Sequence, residues 1–172
     1  MVVAMSEDTA DGRAETRADG KTVVRFERRL AHPVSRVWAA LTASDELVGW
    51  WGDADVELVE GGRFEMRWLN TDDAGEHFVM HATITRLEPP HVLETDGDVH
   101  GTLRWELREH EGGTLLSFTS VLDLPEEMRT KVLAGWHFHL DALETVLGGG
   151  AVDIAGVPGW ERLHDRYVAQ PG

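Results

Sequence analysis

The chain of 172 residues contains no cysteine and only one tyrosine. Without cysteine there is no disulfide, no thiol nucleophile and no thiolate metal site. No apolar run approaches the roughly 20 residues that cross a bilayer. The N-terminus also lacks the basic start and apolar stretch of a signal peptide. The absence of cysteine does not fix the compartment, and a cytoplasmic location is the default expectation.

Basic residues are scarce as well. Lysine and arginine number 16 against 31 aspartates and glutamates, which gives a net charge of -15. A surface that binds nucleic acid needs clustered basic residues, and an anionic membrane attracts the same kind of surface. We therefore expect neither nucleic acid nor a membrane as a partner. The content of 42% hydrophobic and 27% charged residues is typical of one soluble globular domain of this length.

Motifs of catalysis and cofactor binding are absent too. The sequence has no G-x-S-x-G, no phosphate-binding loop and no dinucleotide fingerprint, so we expect no cofactor and assign no catalytic residue. Nine histidines raise the question of a metal site. His77 and His81 fall in a predicted strand, where four residues span about 13 Å. His137 and His139 lie about 200° apart around a predicted helix. No metal site is expected.

Hydrophobic periodicity divides the chain into elements. Residues 1–20 have almost no apolar pattern and read as a disordered acidic leader. Residues 21–30 alternate as a first strand, and Pro33 and Ser44 each open a short helix. Residues 55–123 alternate between strands and turns, with a short strand predicted at Val56–Val59. The residues of the first strand that share one face are Val24, Phe26, Arg28 and Leu30.

A long helix is predicted from Pro125 to Leu147, because helical spacing is sustained until three glycines end it. A short helix follows in the tail at residues 161–168. Phe138 falls opposite the buried face of the long helix. It packs under the tail or forms a dimer contact, and the sequence leaves both open, so a homodimer remains an alternative. The residues predicted on the buried face are Met128, Val132, Trp136, His139, Leu140, Leu143, Val146 and Leu147.

This order of elements predicts an α+β helix-grip fold. A curved antiparallel sheet of about six to seven strands grips one long C-terminal helix, and two short helices follow the first strand. We divide the chain into a disordered leader at 1–20, the domain at 21–148, and a tail at 149–172 whose short helix packs on the domain.

Short sequence pieces in this order resemble the family related to the activator of heat-shock protein 90 ATPase, within the START-like (SRPBCC, Bet v-like) superfamily. The resemblance covers about residues 21–168, and its tail piece is Trp160–Tyr167. One departure is Leu93–Asp96, where many members carry a tryptophan. The other matching pieces are Ala31–Trp38 (AHPVSRVW), Trp50–Gly52 (WWG), Gly61–Phe64 (GGRF), Leu87–Leu93 (LEPPHVL), Gly112–Thr114 (GGT) and Gly135–Asp141 (GWHFHLD).

The resemblance implies a fold with a hydrophobic cavity, but it implies no co-chaperone activity, because one fold hosts many functions. The first hypothesis is a module that binds a small apolar or amphipathic molecule between helix and sheet. A second is an enzyme of the cyclase or dehydratase type with His139 as acid or base, and a third is an interaction protein with a filled core. The candidate ligand-binding residues are Trp50, Trp51, Phe64, Met66, Trp68, Phe78, Met80, Trp105, Trp136 and His139.

His139 is the candidate polar group of this cavity, because helical spacing turns it toward the sheet. It could donate a hydrogen bond to a ligand or exchange a proton near neutral pH. The alternative is a core histidine that is hydrogen-bonded to the backbone or to a buried carboxylate. A cavity of roughly 300 Å³ or more would favour either of the first two hypotheses.

Overall fold

The computed structural model describes residues 11–170 of the chain. One antiparallel sheet of eight strands runs in the order β1-β2-β8-β7-β6-β5-β4-β3. The strands are β1 (Arg13–Thr16), β2 (Thr22–Leu30), β3 (Asp53–Val56), β4 (Arg63–Thr71), β5 (His77–Glu88), β6 (Val92–Gly97), β7 (Gly101–His110) and β8 (Gly113–Leu122). The helices are α1 (Val34–Thr42), α2 (Ser44–Trp50), α3 (Arg129–Leu147) and α4 (Trp160–Ala169).

The helix-grip architecture predicted from the sequence is confirmed. The sheet has eight strands instead of the predicted six to seven, because β1 lies in the segment that was predicted to be disordered. One face of the sheet is covered by α1, α2 and the long helix α3, and the main core lies between these two layers. The strands alternate accordingly, since side chains two residues apart share a face. The predicted inward face of the first strand is correct, because its four members, Val24, Phe26, Arg28 and Leu30, are all buried.

The two short helices begin where the sequence indicated. Pro33 directly precedes α1, and Asp45 and Glu46 lie in the first turn of α2, where acidic groups favour the helix dipole. The end of α2 is tied to α1 by the indole of Trp50, whose Nε1 donates to the carbonyl oxygen of Ala40 at 2.9 Å. This bond holds Trp50 and the residue after it against the core.

The long helix is buried on more of its circumference than the sequence predicted. Met128 is 39% exposed, so its predicted place on the buried face is wrong. It lies in the 3-10 turn Glu126–Met128 that precedes α3, outside the helical spacing. The rest of the predicted face is buried or half-buried. Phe138 on the opposite side is also buried, and α4 is the helix that packs on α3.

Three boundaries differ from the sequence prediction. The long helix begins at Arg129 rather than at Pro125, because Glu126–Met128 form a 3-10 turn. Residues 1–10 of the predicted disordered leader lie outside the described part, but Arg13–Thr16 form β1, paired with β2 from Thr22 to Arg25. The leader prediction is therefore wrong for this segment. A Cβ atom on Gly12 would lie 2.2 Å from Cζ of Phe26, so a larger residue at this position would have to displace that buried ring.

The third strand begins earlier than predicted. It spans Asp53–Val56 and pairs with β4, whereas the prediction placed it at Val56–Val59. The apolar side chains of Leu58 and Val59, which motivated that prediction, are exposed in the turn before β4. Strand pairing, rather than local hydrophobicity, decides where this edge strand lies.

Candidate functional site

The candidate site is a pocket between the first half of α3 and one end of the sheet. Trp51 reaches it from the end of α2, Trp68 from β4, and His100 from the turn between β6 and β7. Its volume is about 150 Å³. The seven lining residues are Trp51, Trp68, His100, Val132, Gly135, Trp136 and His139.

The walls of the pocket are mainly aromatic. Trp136 is 3% exposed, and its ring centroid lies 5.2 Å from that of Trp51 and 4.4 Å from that of Phe118. The ring of His100 lies 5.0 Å from that of Trp136 and 5.9 Å from that of Trp68. These tilted contacts, at 4.4–5.9 Å, agree with the roughly 4.5–7 Å between ring centroids that is typical of packed aromatic groups. Packing against the core therefore fixes the positions of the tryptophan rings that form the walls.

His139 is held by a backbone bond rather than by a carboxylate. Its Nδ1 lies 2.8 Å from the carbonyl oxygen of Trp50, so Nδ1 carries the proton and donates. Burial lowers the pKa of His139, and the bond to Trp50 opposes this shift only in part. The ring is therefore neutral at pH 7, and Nε2 is its remaining hydrogen-bond acceptor.

His100 is the site residue that the sequence analysis missed. Its main-chain oxygen accepts a hydrogen bond from Oγ of Ser120 at 2.7 Å, which fixes the turn. Its Nε2 is buried, and within residues 11–170 this atom has no hydrogen-bond partner. Burial lowers the pKa of His100 to about 4, and the nearby His139 adds to the shift. The ring of His100 is therefore a neutral polar group in the wall of the pocket.

The backbone conformation of Gly101 explains why the sequence does not predict His100 in the pocket. Leu103, Trp105 and Leu107 point into the core, so strict alternation would send His100 outward. Gly101 adopts φ +63°, a left-handed conformation that breaks this alternation. A glycine after a histidine at the start of a strand is the only signal of this change in the sequence.

The structure brings four of the ten predicted ligand-binding residues together at the pocket: Trp51, Trp68, Trp136 and His139. Five others are fully buried and fill the core beside it. Their role in binding remains a prediction, and they do not line the pocket. They are Trp50, Phe64, Met66, Met80 and Trp105.

Phe78 lies elsewhere. It was predicted on the apolar face with Met80, but it is 59% exposed, and that expectation is wrong. The pairing of β4 with β5 shifts between Arg67 and Thr71, and Phe78 lies opposite this irregularity. Its ring packs edge-on against Trp68 at 5.6 Å, outside the pocket.

A second group of polar side chains lies on the opposite side of α3. His137 is buried, and its Nδ1 lies 2.8 Å from Oη of Tyr167. Oη of Tyr167 accepts a bond from the Gly12 amide at 2.9 Å. Nε2 of His137 lies 3.4 Å from Asp141, which also pairs with the buried Arg28 at 2.7 Å. Burial lowers the pKa of His137 and raises the pKa of Tyr167 to about 12.

Other histidines have local partners. Nδ1 of His77 donates to the carbonyl oxygen of Trp68, and Nδ1 of His81 lies 3.1 Å from Glu65. Across residues 11–170, no group of three or more histidine, aspartate and glutamate side chains is placed to hold a metal ion. In that same range, no helix is both long enough and apolar enough to span a membrane.

Comparison with known proteins identifies the family. Residues 31–148 match the family model described as activator of Hsp90 ATPase homolog 1-like protein. The chain belongs to this family. A search of curated proteins gave no significant match.

Solved structures agree with the family assignment in fold. CalU16 from Micromonospora echinospora is 25% identical, with a TM-score of 0.68 over 91% of this chain and 90% of that one. The BPP1335 protein from Bordetella parapertussis is 26% identical, with a TM-score of 0.67 over 87% and 86%. EF2215 from Enterococcus faecalis is 19% identical and has a TM-score of 0.74 over 97% and 94%, which shows the fold alone.

The extent of the match to the Hsp90-activator-like family separates the two polar groups. All seven residues that line the pocket fall within residues 31–148. The polar group on the other side of α3 includes Gly12 and Tyr167, which both lie outside the match. The pocket is therefore built by the family domain alone, while the second group joins that domain to β1 and α4.

Proposed function

We propose that this protein binds a small, mainly apolar molecule in the pocket between α3 and the sheet. The observation that carries the proposal is a partly open space of about 150 Å³ with three tryptophan walls, next to fully buried core residues. Apolar cavities of about this size accept a molecule such as benzene. The ligand, or the part of it that enters, is therefore no larger than one ring.

A further argument is the composition of the lining. Apart from two neutral histidines, the lining side chains are tryptophan, valine and glycine. Such surfaces gain free energy when water is displaced by apolar groups, at about 25 cal/mol per Å². A few polar groups among apolar walls are the usual composition of small-molecule sites. Membership of a family within the START-like superfamily is consistent with this reading.

The enzyme hypothesis has less support. Acid–base chemistry by His139 would be strengthened by a carboxylate next to the ring, but its Nδ1 is bonded to the Trp50 carbonyl oxygen. Among the seven described lining residues there is no aspartate or glutamate. We therefore propose a binding protein.

An interaction protein with a filled core is the second candidate. The pocket is about half of the roughly 300 Å³ at which ligand sites usually begin, and Trp50 and Trp105 are fully buried beside it. On this alternative the pocket is a packing defect at the end of α3. The two candidates differ in whether the space accepts a ligand.

A titration with toluene tests the proposal. Toluene matches the pocket in size, and the indole N–H signals of Trp51, Trp68 and Trp136 in NMR spectra report on each wall. We expect these signals to shift saturably, while the indole signal of Trp38, outside the pocket, stays in place.

A variant that fills the space provides the contrast. Val132→Phe adds a ring at a lining position and should abolish the shifts. Val48→Phe makes the same change at an exposed position of α2 and should leave them intact. The absence of any saturable shift in the wild type, or equal toluene binding by both variants, would contradict the proposal and favour the filled-core alternative.

A further inference from the structure

The polar atoms of the pocket restrict the ligand beyond its size. Nε2 of His100 is buried, and in the described part of the chain it has no hydrogen-bond partner. A buried polar atom left without a partner is costly, so most such atoms in native proteins are bonded. The His100 side chain contributes a wall of the same pocket, where a bound molecule can supply that partner.

His139 contributes the complementary atom. Its Nδ1 donates to the carbonyl oxygen of Trp50, which leaves Nε2 as an acceptor. His100 and His139 both line the pocket and are close enough to interact electrostatically. A hydroxyl group is both a donor and an acceptor. One hydroxyl can therefore donate to Nε2 of His139 and accept from Nε2 of His100 in the tautomer of His100 that carries its proton on Nε2.

The absence of charge on the lining residues also restricts the charge of the ligand. Burial lowers the pKa of both histidines, so both are neutral at pH 7. The remaining lining residues carry no charge. An ionised ligand would lose its hydration without meeting an opposite charge, and this desolvation is strongly unfavourable.

Resting on the proposed function, we propose that the pocket is selective for a neutral single-ring aromatic compound that carries a hydroxyl group, of the phenol class. The ring lies among Trp51, Trp68 and Trp136, and the hydroxyl group lies between His100 and His139. The volume of about 150 Å³ limits the enclosed part to one such ring.

Phenol and toluene form a matched pair of probes, because a hydroxyl replaces a methyl group on the same ring. We expect His100→Phe to lower the preference for phenol over toluene by about tenfold, the value of one hydrogen bond to a buried group. His110→Phe makes the same change at the far end of β7 and should leave the preference unchanged. Benzoate, an anion with the same ring, should not bind.

The outcomes separate this inference from the proposed function. Toluene binding with an unchanged preference for phenol in His100→Phe would overturn the inference and leave the binding function standing. Benzoate binding as tight as phenol binding would do the same. Failure of both phenol and toluene to bind would overturn the proposed function and the inference with it.

A measurement on the wild type avoids dependence on any variant. The 15N chemical shift of Nε2 of His100 reports directly on hydrogen bonding. We expect saturating phenol to change this shift and saturating toluene to leave it nearly unchanged. Equal changes with both compounds would overturn the role of His100.

Discussion

The two histidines of α3 lie two residues apart in the chain but in opposite surroundings. His139 faces the tryptophan pocket, where His100 has a buried nitrogen without a partner within residues 11–170. His137 faces β1 and α4. Tyr167 lies at its Nδ1, and Asp141 lies at its Nε2. A buried, uncharged histidine is therefore not by itself a sign of a functional site. What distinguishes the two rings is whether the nitrogens of each have partners among the described residues.

The cluster around His137 has the bonding of a structural connection. With the proton on Nε2 directed at Asp141, Nδ1 of His137 accepts from the Tyr167 hydroxyl, which accepts from the Gly12 amide. Arg28 pairs with both Asp141 and Glu144 at 2.7 Å. Each side chain named here has a partner, and together they join β1, β2, α3 and α4.

The largest expected effect is on the pocket side. Trp136→Ala should lower the free energy of unfolding by about 3–5 kcal/mol, because the ring is buried against Trp51, Trp105 and Phe118. Chemical denaturation measures this loss. Trp160→Ala, on the half-buried start of α4, is the matched control and should cost less. A loss below about 0.5 kcal/mol for Trp136→Ala would mean that the ring is not part of the core.

The second-largest expected effect is a pH dependence of the free energy of unfolding that arises from His100 in the pocket. The pKa of His100 is about 4 in the folded protein against an ordinary value of 6.5. The unfolded chain therefore binds the proton first, so stability is complete above pH 6.5 and is lost as the pH falls toward 4. His100 alone should account for about 2–3 kcal/mol of this loss at pH 4.5.

His100→Phe isolates that contribution. Unfolding free energies of the wild type and the variant should differ more at pH 4.5 than at pH 7.5, in favour of the variant. The variant His110→Phe should follow the wild type at both values. The same difference between wild type and His100→Phe at both pH values would show that His100 does not titrate as a buried group.

Sequence reasoning predicted the parts of the fold that depend on local pattern. The inward face of β2 follows directly from the spacing of apolar residues, and the starts of α1 and α2 follow from Pro33 and Ser44. Trp51, Trp68, Trp136 and His139 were assigned to the pocket because periodicity turns α3 toward the sheet and the family resemblance implies a cavity.

The remaining features depend on contacts that the local pattern does not contain. β1 is mainly polar, and it is a strand because it pairs with β2 and because Gly12 fits against Phe26. His100 turns inward because Gly101 breaks the alternation of β7. Phe78 is exposed near the start of β5, where the pairing of β5 with β4 is irregular. Strand pairing explains the error at β1, and backbone conformation explains the error at His100.

The third-largest expected effect is a loss of stability from a change on the side of α3 that faces away from the pocket. Tyr167→Phe removes the hydroxyl and leaves the Gly12 amide and Nδ1 of His137 without a partner. We expect a loss of about 2 kcal/mol in the free energy of unfolding, typical of buried groups deprived of a hydrogen bond. Val168→Ala, at the exposed neighbouring position, should change stability little. An unchanged free energy of unfolding in Tyr167→Phe would mean that this cluster does not stabilise the fold.

The smallest effect tests the central claim, which is that Nε2 of His100 serves the pocket and not the fold. The measurement is the free energy of unfolding of His100→Phe at pH 7.5 without ligand, beside Tyr167→Phe. Because Nε2 makes no bond within the described chain, the phenylalanine variant should match the wild type or gain up to about 1 kcal/mol. A loss as large as that of Tyr167→Phe would contradict the account, since His100 would then be a structural residue like His137.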